Sequence, residues 1–286
     1  MGGAMEISVR VLGPVQVRHA DRPARLTAQA AAVLAGLALS DGEALSPGQL
    51  IELLWPDRPP RAARAQVQNV ISALRRALRP AGGAPEGAAP RDSAIPMEPA
   101  GYRLRLEPGQ LDLRLFRDEL AAARALRHAD RPEAALLRYE HVLRLWQGQP
   151  CTDVDLPMVG RLREPLTQVH ADALEEWAEL ALALGPGSPG RGSGWEGGPV
   201  VLRLYAALAE HPFRERLRGQ LIRALWAGGR RAEALGVYEE GRRRLADELG
   251  VDPSPALREL HRRMVGDSQG SGPDRVPAQA PLLLRR

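Results

Sequence analysis

The sequence predicts a mainly α-helical protein in which a small N-terminal α+β domain precedes an all-α array of helical hairpins. Three features predict this fold class: short alternating apolar runs at the N-terminus, three helices and a second hairpin before residue 107, and helical periodicity from Leu113 onward. With 286 residues, the chain is long enough for two domains. We predict domains at 5–106 and 107–265, followed by a disordered tail at 266–286.

Two short strands are predicted at the N-terminus. Apolar and polar residues alternate in Ile7–Val11 and again in Val15–Val17, as in strands with one buried face. Gly13-Pro14 interrupts the alternation and is expected to form the turn between the two runs. The chain therefore begins with a small strand pair.

Two helices are expected after these strands. Thr27 is a candidate N-cap for a helix that runs to about Leu39. Ser46 followed by Pro47 marks the start of the second helix, because proline is favoured in the first helical turn. Trp55-Pro56 is expected to end it.

The third helix, Arg61–Arg79, is predicted to have two different faces. Its apolar residues recur at three- and four-residue steps and form one stripe: Ala63, Val67, Val70, Ile71, Leu74 and Leu78. The opposite side is polar, with two residues flanking it: Arg61, Ala65, Gln68, Asn69, Ser72, Arg76 and Arg79, flanked by Arg64 and Arg75. The helix has five arginines and no carboxylate. Such side chains reach phosphates and base edges in a DNA major groove, although a solvated face of an ordinary surface helix is the alternative.

A second hairpin is predicted after this helix and after an aperiodic Gly/Pro/Ala loop at Pro80–Ala94. Its strands are Ile95–Met97 and Tyr102–Leu106, and in the latter Arg103 and Arg105 alternate with leucines, which gives one apolar and one cationic face. Strands, three helices and a hairpin in this order form a winged helix-turn-helix. The third helix of that fold enters the major groove and the hairpin approaches the backbone or minor groove.

Helical periodicity continues almost to the end of the chain. The predicted helices are Leu113–His128, Pro132–Trp146, Met158–Leu184, Val200–Glu210, Arg214–Ala227, Arg231–Leu249 and Pro255–Val265. Asp130–Glu140 resembles Gly229–Glu239 at an offset of 99 residues, close to three tetratricopeptide periods. We therefore predict a TPR-like helical-repeat domain, a fold that binds proteins or peptides more often than it catalyses reactions. Gly185–Pro199 is interpreted as a surface insertion, because no strand precedes it and it lacks the GxGxxG spacing.

The charge is distributed unevenly. The net charge is +4; residues 1–106 hold 13 arginines and 9 carboxylates, and the rest holds 26 of each. A basic N-terminal module on an electroneutral body favours a polyanionic partner for the first part. The chain has no lysine, which excludes a Walker A loop and Schiff-base catalysis.

The sequence offers no case for an enzyme, a metal or a cofactor. The six histidines are scattered, and the single cysteine, Cys151, has acidic neighbours that would raise its pKa. The carboxylates Asp172, Glu175, Glu176 and Glu179 are expected to be a solvated helix face. No signal peptide or membrane span is found, so a cytoplasmic location without membrane association is expected.

Several segments resemble the Streptomyces antibiotic regulatory protein (SARP) family. VRVLGPVQV, LSPGQLIELLWPDRPPRAARAQVQNVISALRRAL and PAGYRLRL are similar to its OmpR-type DNA-binding domain. LDLRLFRDELAAAR, ALLRYEHVLRLWQGQP and EHPFRERLRGQLIRALWAGGRRAEALGVYEEGRRRLADELGVDPSPALRELH are similar to its bacterial transcriptional activation domain. The similarity covers roughly 5–265. These residues include no ATPase or receiver domain, so the chain resembles a small SARP.

The resemblance implies a transcriptional activator of an antibiotic or other secondary-metabolite gene cluster. Members bind direct repeats near a promoter, usually as dimers, and recruit RNA polymerase. The DNA contacts implied are the polar residues of the third helix and the hairpin arginines: Arg61, Arg64, Gln68, Asn69, Ser72, Arg75, Arg76, Arg79, Arg103 and Arg105. The loop with Trp55, Asp57 and Arg58 lies where members can touch polymerase or its sigma factor. The alternative hypothesis is a ligand- or peptide-sensing helical-repeat regulator or scaffold in which DNA binding is secondary.

Overall fold

A computed structural model of the chain describes residues 7–20, 22–79, 93–185 and 198–270, with side chains as far as Gly266. The N-terminal strand pair is confirmed: β1 (Ile7–Arg10) pairs antiparallel with β2 (Gln16–His19), with Val9 opposite Val17. A third strand, β3 (Arg22–Pro23), extends the sheet beside β2. Its two residues are too few for a detectable alternation, and for that reason the sequence did not predict it.

Three helices follow, as predicted: α1 (Ala28–Leu39), α2 (Pro47–Leu54) and α3 (Ala63–Ala77). The Thr27 side chain accepts a hydrogen bond from the Ala30 N–H at 3.2 Å, which confirms the predicted cap. Ser46 and Gln49 form a reciprocal capping box at the start of α2. The apolar stripe of α3 lies buried against α1 and α2.

The second hairpin is shorter than predicted. It consists of β4 (Met97–Glu98) and β5 (Gly101–Tyr102), and the return strand ends at Tyr102 rather than at Leu106. Tyr102 exchanges two backbone hydrogen bonds of 2.8 Å with Leu45, in the segment before α2, so the hairpin is bonded on that side to the helical unit. Gly101 has φ +140°, and a Cβ there would lie 2.2 Å from the Leu45 carbonyl oxygen. Only glycine fits this approach.

All seven predicted C-terminal helices are present. Their bounds are α4 (Asp112–His128), α5 (Pro132–Leu145), α6 (Pro157–Ala183), α7 (Gly198–Glu210), α8 (Glu215–Ala227), α9 (Arg231–Leu249) and α10 (Pro255–Gly270). Helix α10 passes the predicted start of the tail at Gly266, because one glycine does not end a helix. Residues 80–92 of the predicted loop, 186–197 of the predicted insertion and 271–286 of the predicted tail lie outside the described residues.

The first of two packing units extends to Leu180 and therefore includes α4, α5 and most of α6. The β1–β2 turn is bound by this helical part. The Asp112 carboxylate, at the start of α4, accepts hydrogen bonds from the Val11 and Leu12 N–H groups at 2.9–3.0 Å. The Asp153 carboxylate accepts one from Val15 N–H at 2.8 Å. The assignment of 5–106 and 107–265 to separate domains stays a prediction.

The second unit contains α7 to α10, which pack as successive helical neighbours. Its core includes an arginine, Arg218, whose side chain is almost fully buried. The guanidinium donates to the carbonyl oxygens of Val237 and Pro212, both at 3.0 Å. Gly241 leaves room for this side chain, since a Cβ there would lie 2.3 Å from Arg218 Cδ. Across the described parts of both units, none of the helices has the length and apolar character that crossing a membrane requires.

Candidate nucleic-acid interface

Helix α3 presents a basic polar surface, which we call the α3 face. Its members are exposed residues of α3 and its two ends: Arg61, Arg64, Gln68, Asn69, Ser72, Arg76 and Arg79. On the other side Val67, Ile71 and Leu74 are almost completely buried and fix the rotation of the helix. Because α3 begins at Ala63, Arg61 lies in the turn before it rather than in its first turn. The predicted division into two faces is otherwise confirmed.

The four arginines of the α3 face carry no ion pair with any residue that the structure describes. Helix α3 has no carboxylate, so Arg64 and Arg76 have no acidic neighbour at the i±3 or i±4 positions within the helix. All four side chains are exposed to solvent. Amide and hydroxyl side chains lie between them, which adds donors and acceptors suited to base edges.

Arg75 flanks the α3 face, as predicted, and its guanidinium binds a carbonyl group of the protein itself. Its Nε and Nη2 atoms donate to the Ile95 carbonyl oxygen at 2.9 and 2.7 Å. The guanidinium carbon also lies 6.0 Å from the centre of the Tyr102 ring. Arg75 therefore joins α3 to the hairpin and is not part of the α3 face. The sequence showed Arg75 only as a flanking position, because the carbonyl that it binds is twenty residues away.

His19 is a further positioning residue, which the sequence analysis missed. Its Nε2 lies 2.8 Å from the carbonyl oxygen of Ala77, and since that oxygen can only accept, the ring nitrogen donates. Ala77 is the last residue of α3, where carbonyl groups lack helical partners. The contact ties the end of α3 to strand β2. A histidine at the end of a strand gives no sequence signal for this role.

The hairpin arginines lie where the sequence predicted them, but they are paired. Glu98, on β4, places one carboxylate oxygen 2.7 Å from Arg105 Nη2 and the other 3.0 Å from Arg103 Nε. The Arg105 contact is a hydrogen bond, whereas the Arg103 Nε–H is not aligned with the carboxylate, so that contact is ionic only. The hairpin is thus less cationic than its two arginines suggest.

The predicted polymerase-contact loop follows α2. Trp55 ends that helix, with its N–H bonded to the Ile51 carbonyl at 2.8 Å, and its side chain is half-buried. Asp57 and Arg58 are exposed, so both are accessible to a partner. Their role stays a prediction.

Groups that might have suggested catalysis are structural. Burial raises the pKa of the Cys151 thiol to about 12, so it is a poor nucleophile at neutral pH. The expectation of a solvated face was wrong for Glu175, which is buried, and for Glu176, whereas the Glu179 side chain is 42% exposed. Glu176 accepts hydrogen bonds from Arg124 and from the Tyr139 hydroxyl, the latter at 2.7 Å, and Glu179 pairs with Arg127. Residues on α4 and α5 supply these partners, and spacing along α6 cannot reveal them.

Two family models match the chain. "Transcriptional regulatory protein, C terminal" matches residues 21–88, which include α1 to α3. "Bacterial transcriptional activator domain" matches residues 111–265, more than half of the chain. Both matches agree with the order of a basic three-helix region followed by a helical array.

The relatives found are regulators. Regulatory protein AfsR of Streptomyces griseus is 36% identical over 96% of this chain, which spans 26% of AfsR. Regulatory protein DnrI of Streptomyces peucetius is 30% identical over 97% of this chain and 100% of its own length. A solved structure, Mycobacterium tuberculosis EmbR in complex with a low-affinity phosphopeptide, has a TM-score of 0.77 at 33% identity, covering 92% of this chain and 65% of EmbR.

The matched models describe transcriptional regulator domains, and the two relatives are named as regulatory proteins. The solved relative shares the winged-helix and helical-repeat architecture seen here. The chain belongs to the SARP family of transcriptional regulators, with an OmpR-type winged helix-turn-helix followed by a bacterial transcriptional activator domain.

Proposed function

We propose that this chain is a sequence-specific DNA-binding transcriptional activator without enzymatic activity. The observation that carries the proposal is the α3 face, on which four unpaired arginines flank Gln68, Asn69 and Ser72. Guanidinium groups bind guanine and phosphate, and amides bind adenine, so such a helix reads sequence in a major groove. In this proposal α3 enters the groove and the hairpin with Arg103 and Arg105 follows the adjacent backbone or minor groove.

The finer parts of the proposal concern the promoter. The protein binds direct repeats near the promoter of a secondary-metabolite gene cluster as a homodimer, and it recruits RNA polymerase or its sigma factor. The exposed Asp57 and Arg58 are the proposed polymerase contacts. The protein works in the cytoplasm without a cofactor. The family relation to AfsR and DnrI supports these steps.

Footprinting of the full chain on the DNA around its own gene, across a salt series, tests the proposal. We expect protection of a spaced direct repeat, and a logarithm of affinity that falls linearly with the logarithm of salt concentration. Four phosphate contacts from the α3 face alone would give a slope of about −3.6. Absence of a protected site, with binding indifferent to sequence, would contradict it.

A second candidate function is peptide sensing by the helical region. A groove of about 590 Å³ runs between α4 and α5 and is lined by Glu119, Leu126, Arg131, Leu137 and His141 among others. Leu137, at its edge, is 66% exposed and gives the groove an apolar rim beside charged residues. If this function is correct, Leu137→Asp should abolish activation in a promoter reporter without changing the footprint. Unchanged activation would remove this candidate.

A further inference from the structure

The hairpin contains an acidic residue placed between its two arginines. Glu98 is the only carboxylate from Ser93 to Leu106, and it lies on β4 opposite Gly101. Its oxygens lie 2.7 Å from Arg105 Nη2 and 3.0 Å from Arg103 Nε. The Glu98 side chain is 20% exposed, against 41% and 60% for the two arginines. The carboxylate is therefore less exposed than the two groups that it neutralises.

The Glu98 carboxylate reduces the positive charge that the hairpin offers to DNA. Two arginines and one glutamate leave a net charge of +1 where the unpaired side chains would give +2. A phosphate that binds either arginine must displace Glu98 or accept a second anion a few ångströms away. Exposed ion pairs of this kind contribute only about 0–1 kcal/mol in water, so phosphate can break them, but at a cost. That cost is the same for every base sequence, because phosphates carry no sequence information.

The α3 face shows the opposite arrangement. Its four arginines have no ion-pair partner in the described chain, and its amide side chains face the same way. The arginines of the α3 face, which is suited to reading bases, are thus left unpaired by the described residues. The arginines of the hairpin, which is suited to contact with the DNA backbone, are partly neutralised by Glu98. In the part of the chain that the structure describes, arginines are therefore unpaired on the α3 face and paired with a carboxylate in the hairpin.

We propose that Glu98 is an internal competitor of DNA phosphate for Arg103 and Arg105, and that it lowers the affinity for DNA of any sequence. The inference rests on the proposed DNA binding. Glu98 touches no base and sets no preference. It weakens the contacts of the hairpin with any phosphate, and so it lowers the affinity for the recognised site and for non-specific DNA by the same factor.

The test compares Glu98→Gln with the unaltered full chain on two duplexes, the footprinted site and a scrambled sequence, across a salt series. Glutamine keeps the size of the side chain and removes its charge. We expect both duplexes to bind about two- to fivefold more tightly, with a ratio between them that is unchanged. The salt slope should become steeper by about 0.9, since a released arginine neutralises one more phosphate.

A matched control separates competition from net charge. Glu52→Gln makes the same charge change on α2, where Glu52 is exposed and has no arginine partner among the described residues. An equal gain in DNA affinity from Glu52→Gln would overturn the proposal. So would a Glu98→Gln variant that binds DNA no more tightly than the unaltered chain. In an Arg103→Gln/Arg105→Gln background, Glu98→Gln should have no effect, and a persistent gain would also overturn it. If the unaltered chain binds neither duplex, the proposed function itself fails.

Discussion

Four arginines of the last two helices are paired with glutamates, whereas those of the α3 face are unpaired among the described residues. In α9 and α10 each of four arginines has a glutamate three or four residues away: Arg242 with Glu239, Arg244 with Glu248, and Arg262 and Arg263 with Glu259. Within the described residues, the arginines of the α3 face have no such partner. All of these side chains are at least partly exposed, and the helices differ little in arginine content.

The comparison supports our proposal that carboxylate placement, more than arginine number, distinguishes a surface suited to DNA from an ordinary charged helix face. A guanidinium paired along its own helix gains about 0.2–0.5 kcal/mol of helix stability and loses most of its attraction for a distant anion. An unpaired guanidinium keeps that attraction and releases a counterion when it meets a phosphate. We therefore expect α3 to carry the salt dependence of DNA binding and α9 and α10 to carry none.

The largest expected effect comes from removing the charge of the α3 face. Changing Arg61, Arg64, Arg76 and Arg79 to glutamine should reduce the magnitude of the salt slope by about 3–4, because up to four phosphate contacts are lost. Affinity for the footprinted site should fall by at least about 4 kcal/mol, since a residue that reads a base contributes about 1–3 kcal/mol. Fluorescence anisotropy at several salt concentrations measures both quantities.

The matched control removes the same number of charges from the paired set. Glutamine at Arg242, Arg244, Arg262 and Arg263 should leave both slope and affinity unchanged. Equal losses in the two variants would show that net charge, rather than pairing, determines binding.

The next largest effect is on stability and concerns Arg218. Its guanidinium is buried and binds two carbonyl oxygens, and burial lowers its pKa. Arg218→Met leaves those carbonyls unpaired, so we expect a loss of about 2–4 kcal/mol in the free energy of unfolding. Urea denaturation measures this. Arg223→Met, at an exposed position of the same helix, should cost less than about 0.5 kcal/mol, and a similar loss there would contradict the assigned role.

Asp112 differs from the glutamates discussed above, because its carboxylate is bound by backbone N–H groups rather than by arginines. Burial raises the pKa of Asp112 to about 6 from 3.8, despite the lowering effect of the Leu12 and Val11 N–H groups. The folded chain therefore binds this proton more tightly than the unfolded chain. The resulting stabilisation, about 3 kcal/mol, is complete below about pH 4 and is lost as the pH rises through about 6.

Asp112→Asn should remove this part of the pH dependence of the free energy of unfolding between pH 4 and 7. Asp118→Asn, at an exposed position of the same helix, should leave it intact. The same pH dependence in Asp112→Asn and the unaltered chain would contradict the raised pKa.

The smallest effect distinguishes two adjacent arginines of α3. Arg75→Met removes two hydrogen bonds to the Ile95 carbonyl and should cost about 1–2 kcal/mol of stability while the salt slope stays the same. Arg76→Met should do the reverse, with unchanged stability and a slope reduced by about 0.9. If Arg75→Met reduces the slope as Arg76→Met does, Arg75 reaches DNA and its internal role is wrong.

Local signals predicted most of the fold. Caps at Thr27 and Ser46 and the apolar periodicity of α3 located the three-helix region and the rotation of α3. What the sequence could not show depends on contacts between distant segments. Asp112 binds a turn about a hundred residues earlier, and Arg75 binds a carbonyl beyond the loop.

Ion pairs between residues of different helices or strands also could not be predicted from the sequence. The i,i+4 spacing reveals a pair such as Arg244 with Glu248, because a helix fixes their distance. Glu98 meets Arg103 and Arg105 only because a short turn folds β5 back beside β4. Similarly, Glu176 was expected in solvent, and its partners Arg124 and Tyr139 lie on two other helices.

The most direct test of the account places a DNA-cleaving reagent on α3. Cys151 is buried with a pKa of about 12, so Ser72→Cys provides a single reactive thiol at the centre of the α3 face. An iron chelate attached there should cut DNA within each protected repeat, and the same chelate on Ala246→Cys, exposed on α9, should cut elsewhere or not at all. Cutting outside the repeats from position 72, or identical patterns from both positions, would contradict the assignment of α3 as the DNA-reading helix.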